Sequence, residues 1–232
     1  MIFSIDDGIF NLFSTLKIGV LICEINNTRY GNDQLEEALE DVRVHFSFER
    51  PEDHPNIKAW REAFEILGIS GSKFQSSIEF RLKQALRGGP FPRINPLIDL
   101  SNGISLRRLV PIGGHSLDFI DGNISLCFAK GYELFVPMDH GEQEQVDEGE
   151  IVYKDNRDVL TRKWVWRQSN KDKVLDETKH VLISIDVLGG LPEWLCQSTI
   201  NDLEESILRN GYGSIIHKDI LTRSNMKTEF EY

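Results

Sequence analysis

Three polar stretches carry residue types that can hold or attack a small ligand. In RINPLIDLSN, the side chains of Asn95, Asp99 and Asn102 recur at helical spacing and share one face. Amides and a carboxylate in such a row can orient a polar substrate. They can equally serve the helix itself, with Asn95 as N-cap before Pro96 and the other two satisfying local backbone groups. In PIGGHSLDFID, the pair Gly113-Gly114 lets backbone come close to a ligand, and His115 and Asp118 follow as a weak base and a carboxylate. A plain strand-connecting turn is the alternative there. In KWVWRQS, Trp164, Trp166 and Gln168 alternate with Val165 and Arg167, which predicts a strand with both indoles on one side, as core wall or stacking platform. Arg167 then falls on the opposite face, to reach a phosphate or to pair with a nearby acid.

Other chemistry is not encoded in recognisable form. No GxxxxGK[ST], GxGxxG, GxSxG or HExxH motif is present, and the six histidines (His45, His54, His115, His140, His180, His217) lack metal-ligand spacing. A reaction without metal or cofactor, or no reaction, is therefore expected. The three cysteines form no CxxC pair, which fits a reducing, cytoplasmic compartment. No apolar run approaches the roughly 20 residues of a membrane span, and the N-terminal MIFSIDDGIF carries acids where a signal peptide has bases. Neither membrane insertion nor secretion is expected.

The elements that must position these residues fall into two groups. KIGVLICEI, followed by Asn26-Asn27, reads as a buried strand and turn. Helices follow: one over Leu35 to Phe46 behind Asp33, one opened by Asp53-His54-Pro55 with Ile57, Trp60, Phe64 and Leu67 on a face, one opened by the capping box Ser76…Glu79 and stopped at Gly88-Gly89-Pro90, and one over Asn95 to Leu106. After that the apolar period changes to two. Strands are expected around Leu109 to Ile112, Ile124 to Ala129, Leu134 to Pro137, Ile151 to Tyr153, Val159 to Trp166 and His180 to Asp186. Pro192 opens a last amphipathic helix ended by Asn210-Gly211, and MKTEFEY reads as frayed. The expected architecture is α+β, a single domain over 1–232, with N-terminal helices packed on a mainly antiparallel sheet: a strand and helices to about residue 108, then a β-rich part with a closing helix from about 109.

With 232 residues, 40% of them hydrophobic, the chain can bury a proper core. Its net charge of -11 argues against binding nucleic acid by bulk electrostatics, and neither DNA nor a membrane is expected as partner. The charge is nevertheless segregated. Lys73 to Arg108 holds seven bases against two acids, and Lys154 to Lys173 seven against three, whereas Asp139 to Glu150 holds six acids and no base. A polyanion could dock on one face of such a molecule.

Taken together and in this order, the stretches resemble the B3/B4 domain of the phenylalanyl-tRNA synthetase beta chain, and more closely the stand-alone B3/B4-domain proteins. The residues that carry the resemblance are RINPLIDLSN, similar to a PxNNxVDxTN element; the meander LVPIGGHSLDFIDGNISLCFAKGYELFVP; the GEIVYKD hairpin; and WVWRQSNKDKVLDETKHVLISID. The resemblance implies an editing site that hydrolyses the ester joining a wrongly loaded amino acid to the tRNA 3′ end. It also implies mischarged tRNA, and an aminoacyl-tRNA synthetase, as partners. Where the synthetase closes its pocket with a GGE-like turn, this chain has RQSN, so amino-acid specificity does not carry over.

On that reading Asn95, Asp99 and Asn102 position the substrate's amine or ribose, and His115 orients water or acts as a weak base. Asp118, Trp164, Trp166 and Gln168 line the pocket, and Arg81, Lys83, Arg87 and Arg167 meet tRNA phosphates. The competing reading is a non-catalytic module that binds tRNA or an amino acid. A third is a hydrolase of small free aminoacyl esters.

Overall fold

The computed structural model describes residues 1–26, 33–139 and 141–232. Its elements are β1 (Ile2–Ile5), α1 (Asp7–Leu12), β2 (Lys17–Ile25), α2 (Gln34–His45), α3 (Pro55–Ile66), α4 (Ser77–Arg87), α5 (Pro96–Arg108), β3 (Ile112–Ser116), β4 (Ile124–Phe128), β5 (Leu134–Phe135), β6 (Glu144–Gln145), β7 (Ile151–Lys154), β8 (Val159–Arg162), β9 (Arg167–Gln168), β10 (His180–Val187), α6 (Leu195–Asn210), β11 (Gly213–Leu221) and β12 (Lys227–Glu229). Asn27, half of the turn expected after β2, and His140 lie outside the described residues.

The run KIGVLICEI forms β2, between β11 and β10 in a four-stranded antiparallel sheet of order β11-β2-β10-β3. Ile18, Val20 and Ile22 enter one apolar cluster while Leu21, Cys23 and Ile25 enter another. With both faces covered, the strand reads as a continuous apolar run instead of alternating. One face is covered by α5 and α6 through Leu97, Leu100, Ile104, Ile200 and Leu203. α6 packs there on bare backbone, because a Cβ at Gly19 would come within 2.9 Å of Ile200 Cδ1.

The other face meets the helices α2 to α4 and a six-stranded sheet of order β12-β1-β4-β7-β8-β9, antiparallel except for the β1–β4 pair. Trp60, Phe64, Leu82, Leu126, Tyr153 and Trp164 are buried in the shared cluster. Each such side chain contributes about 1.5–3 kcal/mol on leaving water.

The helices start where the caps demand. The His54 ring accepts from the Asn56 amide ahead of Pro55, Ser76 Oγ from Glu79, and Asn95 Oδ1 from Ile98. Gly88, at φ +72°, ends α4 in a conformation that favours glycine. Only half of the capping box forms. The Glu79 carboxylate turns to Arg61 and Lys83 rather than back to the cap.

The α+β class holds, and the strand expected ahead of α2 is β2, central to its sheet, with β1 and α1 before it. The C-terminal MKTEFEY is ordered, with Thr228 paired to Phe3 across β12 and β1 and Phe230 in the core. Its polar edge-strand pattern resembles that of a solvated tail. The last helix starts at Leu195 because Pro192 accepts the Leu195 amide in a turn just before it. The strand expected over Leu134 to Pro137 shortens to two residues.

The strand expected over Val159 to Trp166 ends at Arg162. Lys163 and Trp164 take left-handed backbone angles, φ 45° and 64°, and reverse the chain into β9, with Arg162 opposite Arg167. Two such non-glycine residues cost on the order of 1–3 kcal/mol each. Glu150 offsets this: it accepts from Arg162 Nε (3.0 Å) and Nη2 (2.8 Å) and from the Lys163 amide (2.8 Å). The indoles consequently do not alternate along a strand. Trp164 packs edge-on against Phe13 and Trp60, while Trp166 meets Phe74 at 4.6 Å.

Candidate functional site

One end of the face between the two sheets is polar. β10 sends Val181, Ile183, Ile185 and Val187 into the cluster under α5 and α6, which leaves Leu182, Ser184 and Asp186 on the opposite side. β3 pairs with it, Gly113 opposite Ser184 and His115 opposite Leu182, and so turns His115 to that side too. These residues floor a cleft of about 820 Å³, a size that suits a small ligand. α4 forms one wall. It buries Ile78, Leu82 and Ala85 and turns Ser77, Phe80, Arg81 and Gln84 to the cleft at spacings of three, four and seven. The reversal after β8 forms another, with Trp164, Trp166, Arg167 and Gln168, and Asn102 arrives from α5.

Two buried carboxylates organise the floor. Asp172 Oδ2 lies 2.5 Å from His115 Nδ1, and Gln168 Nε2 approaches the same oxygen at 3.4 Å while donating to the Gly114 carbonyl at 2.6 Å. Burial pushes the Asp172 carboxyl up, opposed by the hydrogen bond and charge of His115. Asp186 Oδ1 accepts from Tyr153 Oη and Trp164 Nε1, each at 2.8 Å. Burial pushes Asp186 up to about 6 despite these donors, and Tyr153 is raised well above its ordinary range by burial and the neighbouring Asp186 charge. Gly113 keeps the floor open, since a Cβ there would lie 2.8 Å from Ser184 Oγ and 3.4 Å from His115 Nε2.

Of the residues singled out in the sequence, His115, Asn102, Trp164, Trp166, Gln168, Arg81 and Arg167 line this cleft. The others do not, each for a visible reason. Asn95 is buried as the α5 cap, and its Nδ2 donates to the Val174 carbonyl. Asp99 accepts from the Ile94 amide and pairs with Arg93. Asp118 accepts from the amides of Lys179 and His180. Lys83 is held by Glu79 and Glu52, and Arg87 is exposed at the end of α4. Asp172, Tyr153, Ser184 and Asp186 were not singled out. The signal for the last two was their period-two interruption of the apolar run HVLISIDV, whereas Asp172 lies in a loop with no pattern to mark it.

Charge segregated along the chain is recombined in space. Arg162, Lys163 and Arg167 pair with Asp139, Glu144, Asp147 and Glu150, and Arg93 and Arg107 with Glu36, Glu37 and Asp41. The two basic stretches therefore do not form a free cationic face. Asp121, Asp155 and Asp158 are the only grouping with metal-ligand proximity among the described residues, and Lys171 Nζ reaches all three at 2.6–2.8 Å. Their attraction outweighs desolvation and raises Lys171. No helix among the described residues is long and apolar enough to cross a membrane.

Residues 59–190 match the family model described as the B3/4 domain, more than half of the chain. Comparison with curated proteins gives no match. Among solved structures, an N-terminal fragment of the phenylalanyl-tRNA synthetase beta-subunit from Pyrococcus horikoshii is similar over 92% of this chain, at 14% identity and a TM-score of 0.48. The chain spans about half of that fragment, 49% of its length.

Proposed function

The chain belongs to the B3/4 domain family, and on that premise we propose that its cleft takes the aminoacylated 3′ end of a mischarged tRNA and hydrolyses the ester with a positioned water. The observation that carries this reading is His115, which lines a cleft of suitable size and is held at Nδ1 by buried Asp172.

The ester is already an activated acyl group, so orientation and proton transfer suffice without a nucleophilic side chain. With Asp172 ionised, His115 Nδ1 donates to it, and Nε2 is left basic beside Gly113. Water held there attacks the ester carbonyl carbon and passes its proton to Nε2. The tetrahedral intermediate then expels the ribose oxygen, which takes that proton, giving a tRNA hydroxyl and the free acid, which releases its proton to solvent as the carboxylate forms. Asn102 supplies an amide at the cleft wall for the developing oxyanion. Trp166 and Gln168 border the amino-acid moiety, and RQSN, closing the cleft where the resembling domain has its GGE-like turn, sets a different preference.

The test is deacylation of a panel of correctly and wrongly charged tRNAs by the full chain. Turnover of one mischarged species that survives chelator and is lost in His115→Ala supports the reading. If no species turns over while an amino acid or tRNA still binds, the chain is a binding module. The ion-paired state of most of its cations favours an amino acid over tRNA as the ligand of such a module.

A further inference from the structure

Arg81 stands apart from the other cations of the basic stretches. Its Nη1 is buried within the cleft wall and has no hydrogen-bond partner, and no acid pairs with it among the described residues. Burial lowers its pKa to about 10, which still leaves it charged at neutral pH. A guanidinium with a buried, unpartnered nitrogen has lost water there without compensation and is strongly favoured by an incoming oxyanion. The residue before it in α4, Phe80, is 60% exposed although it is a large aromatic side chain at the cleft. Lys73 lies at the same rim, exposed, with its ammonium over the Phe74 ring and no acid beside it among the described residues.

We propose that Arg81 and Phe80 form a nucleotide subsite, in which the guanidinium seats a phosphate group and the exposed ring stacks on the attached base. A phosphate beside an aromatic platform is the pattern of single-stranded nucleic-acid recognition, where the ring takes any base face and the cation fixes the backbone. A carboxylate would also satisfy Arg81, but it would leave exposed Phe80 without a role. Here the inference deepens the deacylase reading, on which it rests for taking the ligand to be a tRNA end. It makes the substrate a phosphate-bearing nucleotide ester, so that small free aminoacyl esters are poor substrates. No turnover is needed for the subsite to exist.

The experiment is calorimetric titration of the full chain with adenosine 5′-monophosphate, adenosine, inorganic phosphate and acetate, repeated for Arg81→Met, Arg81→Gln and Phe80→Ala. The wild type binds the monophosphate about tenfold or more tighter than adenosine, as one charge-assisted contact provides. Arg81→Met and Arg81→Gln bring that ratio near one. Phe80→Ala weakens both nucleotide ligands alike. A wild-type ratio near one overturns the subsite without recourse to any variant, as does an unchanged ratio in a folded Arg81 variant. Acetate competing as well as phosphate overturns it in favour of a carboxylate. A preserved phosphate preference with no deacylation of any tRNA removes the hydrolase reading and keeps the subsite.

Discussion

His115 Nδ1 lies 2.5 Å from Asp172 Oδ2, and both residues are buried, at 1% and 0% exposure, with His115 at the edge of the cleft. A carboxylate in that position fixes both ring orientation and tautomer, so the two residues act as one unit. Asp172→Asn then lowers single-turnover deacylation by about 10²–10⁴-fold. His115→Gln does the same, and the double variant loses little more, because either change removes the unit. Wild-type rates in a folded Asp172→Asn protein would remove the pair from the mechanism.

Asp186 makes stability depend on pH in the direction opposite to a surface carboxylate. Its folded pKa, about 6, lies above the ordinary 3.8 because burial outweighs the bonds from Tyr153 and Trp164. The folded state therefore holds the proton more tightly than the unfolded chain, and the group's contribution to stability is lost as pH rises from about 4 to 6. Asp186→Asn keeps an oxygen to accept from both donors and removes the charge. It is more stable than the wild type by on the order of 2–3 kcal/mol at pH 7–8. The gap closes as pH falls below 6 and disappears near 4, as urea unfolding across that range measures. A gap independent of pH would show that Asp186 does not titrate in this window.

Gly113→Ala tests whether the floor must stay open. The added methyl would come within 2.8 Å of Ser184 Oγ, a side chain held between paired strands, and crowd His115 Nε2. Overpacking of this kind costs about 1–3 kcal/mol. Deacylation falls further than the stability loss explains, because the methyl fills the space beside the base. Full activity at a lowered Tm would instead give Gly113 a purely structural role.

Much of this architecture was legible in local chemistry. The caps at His54, Ser76 and Asn95 and the apolar run of β2 each depend on neighbours a few residues away, so spacing reveals them. The reversal at Lys163 and Trp164 was not legible, since it is held by Glu150 and by a pocket between Phe13 and Trp60, all distant in sequence. KWVWRQ alone has the alternation of a strand. The site divides in the same way. His115 was marked by its glycine pair, whereas Asp172 becomes significant only when folding brings it across 57 positions to the imidazole. Asn95 and Asp99 shared the face with Asn102 but answer to the helix start, which a face argument does not separate from a binding role.

The recombination of charge makes salt dependence a sharp measurement of how nucleic acid engages the chain. If all seven bases between Lys73 and Arg108 met phosphates of a single strand, raising salt from 50 to 200 mM would weaken binding several hundredfold, with a slope near −0.7 per contact. Lys83, Arg93, Arg107 and Arg108 are paired with acids instead, Arg87 is exposed at the end of α4 away from the cleft, and Arg81 and Lys73 face the cleft without acidic partners among the described residues. Two contacts predict a loss of about sevenfold over the same interval. Binding of a CCA-ended minihelix to the full chain, followed by fluorescence anisotropy across that range, measures the slope. A loss of hundreds would mean that the ion pairs open to admit the polyanion, and no loss at all would leave the cleft without a phosphate contact.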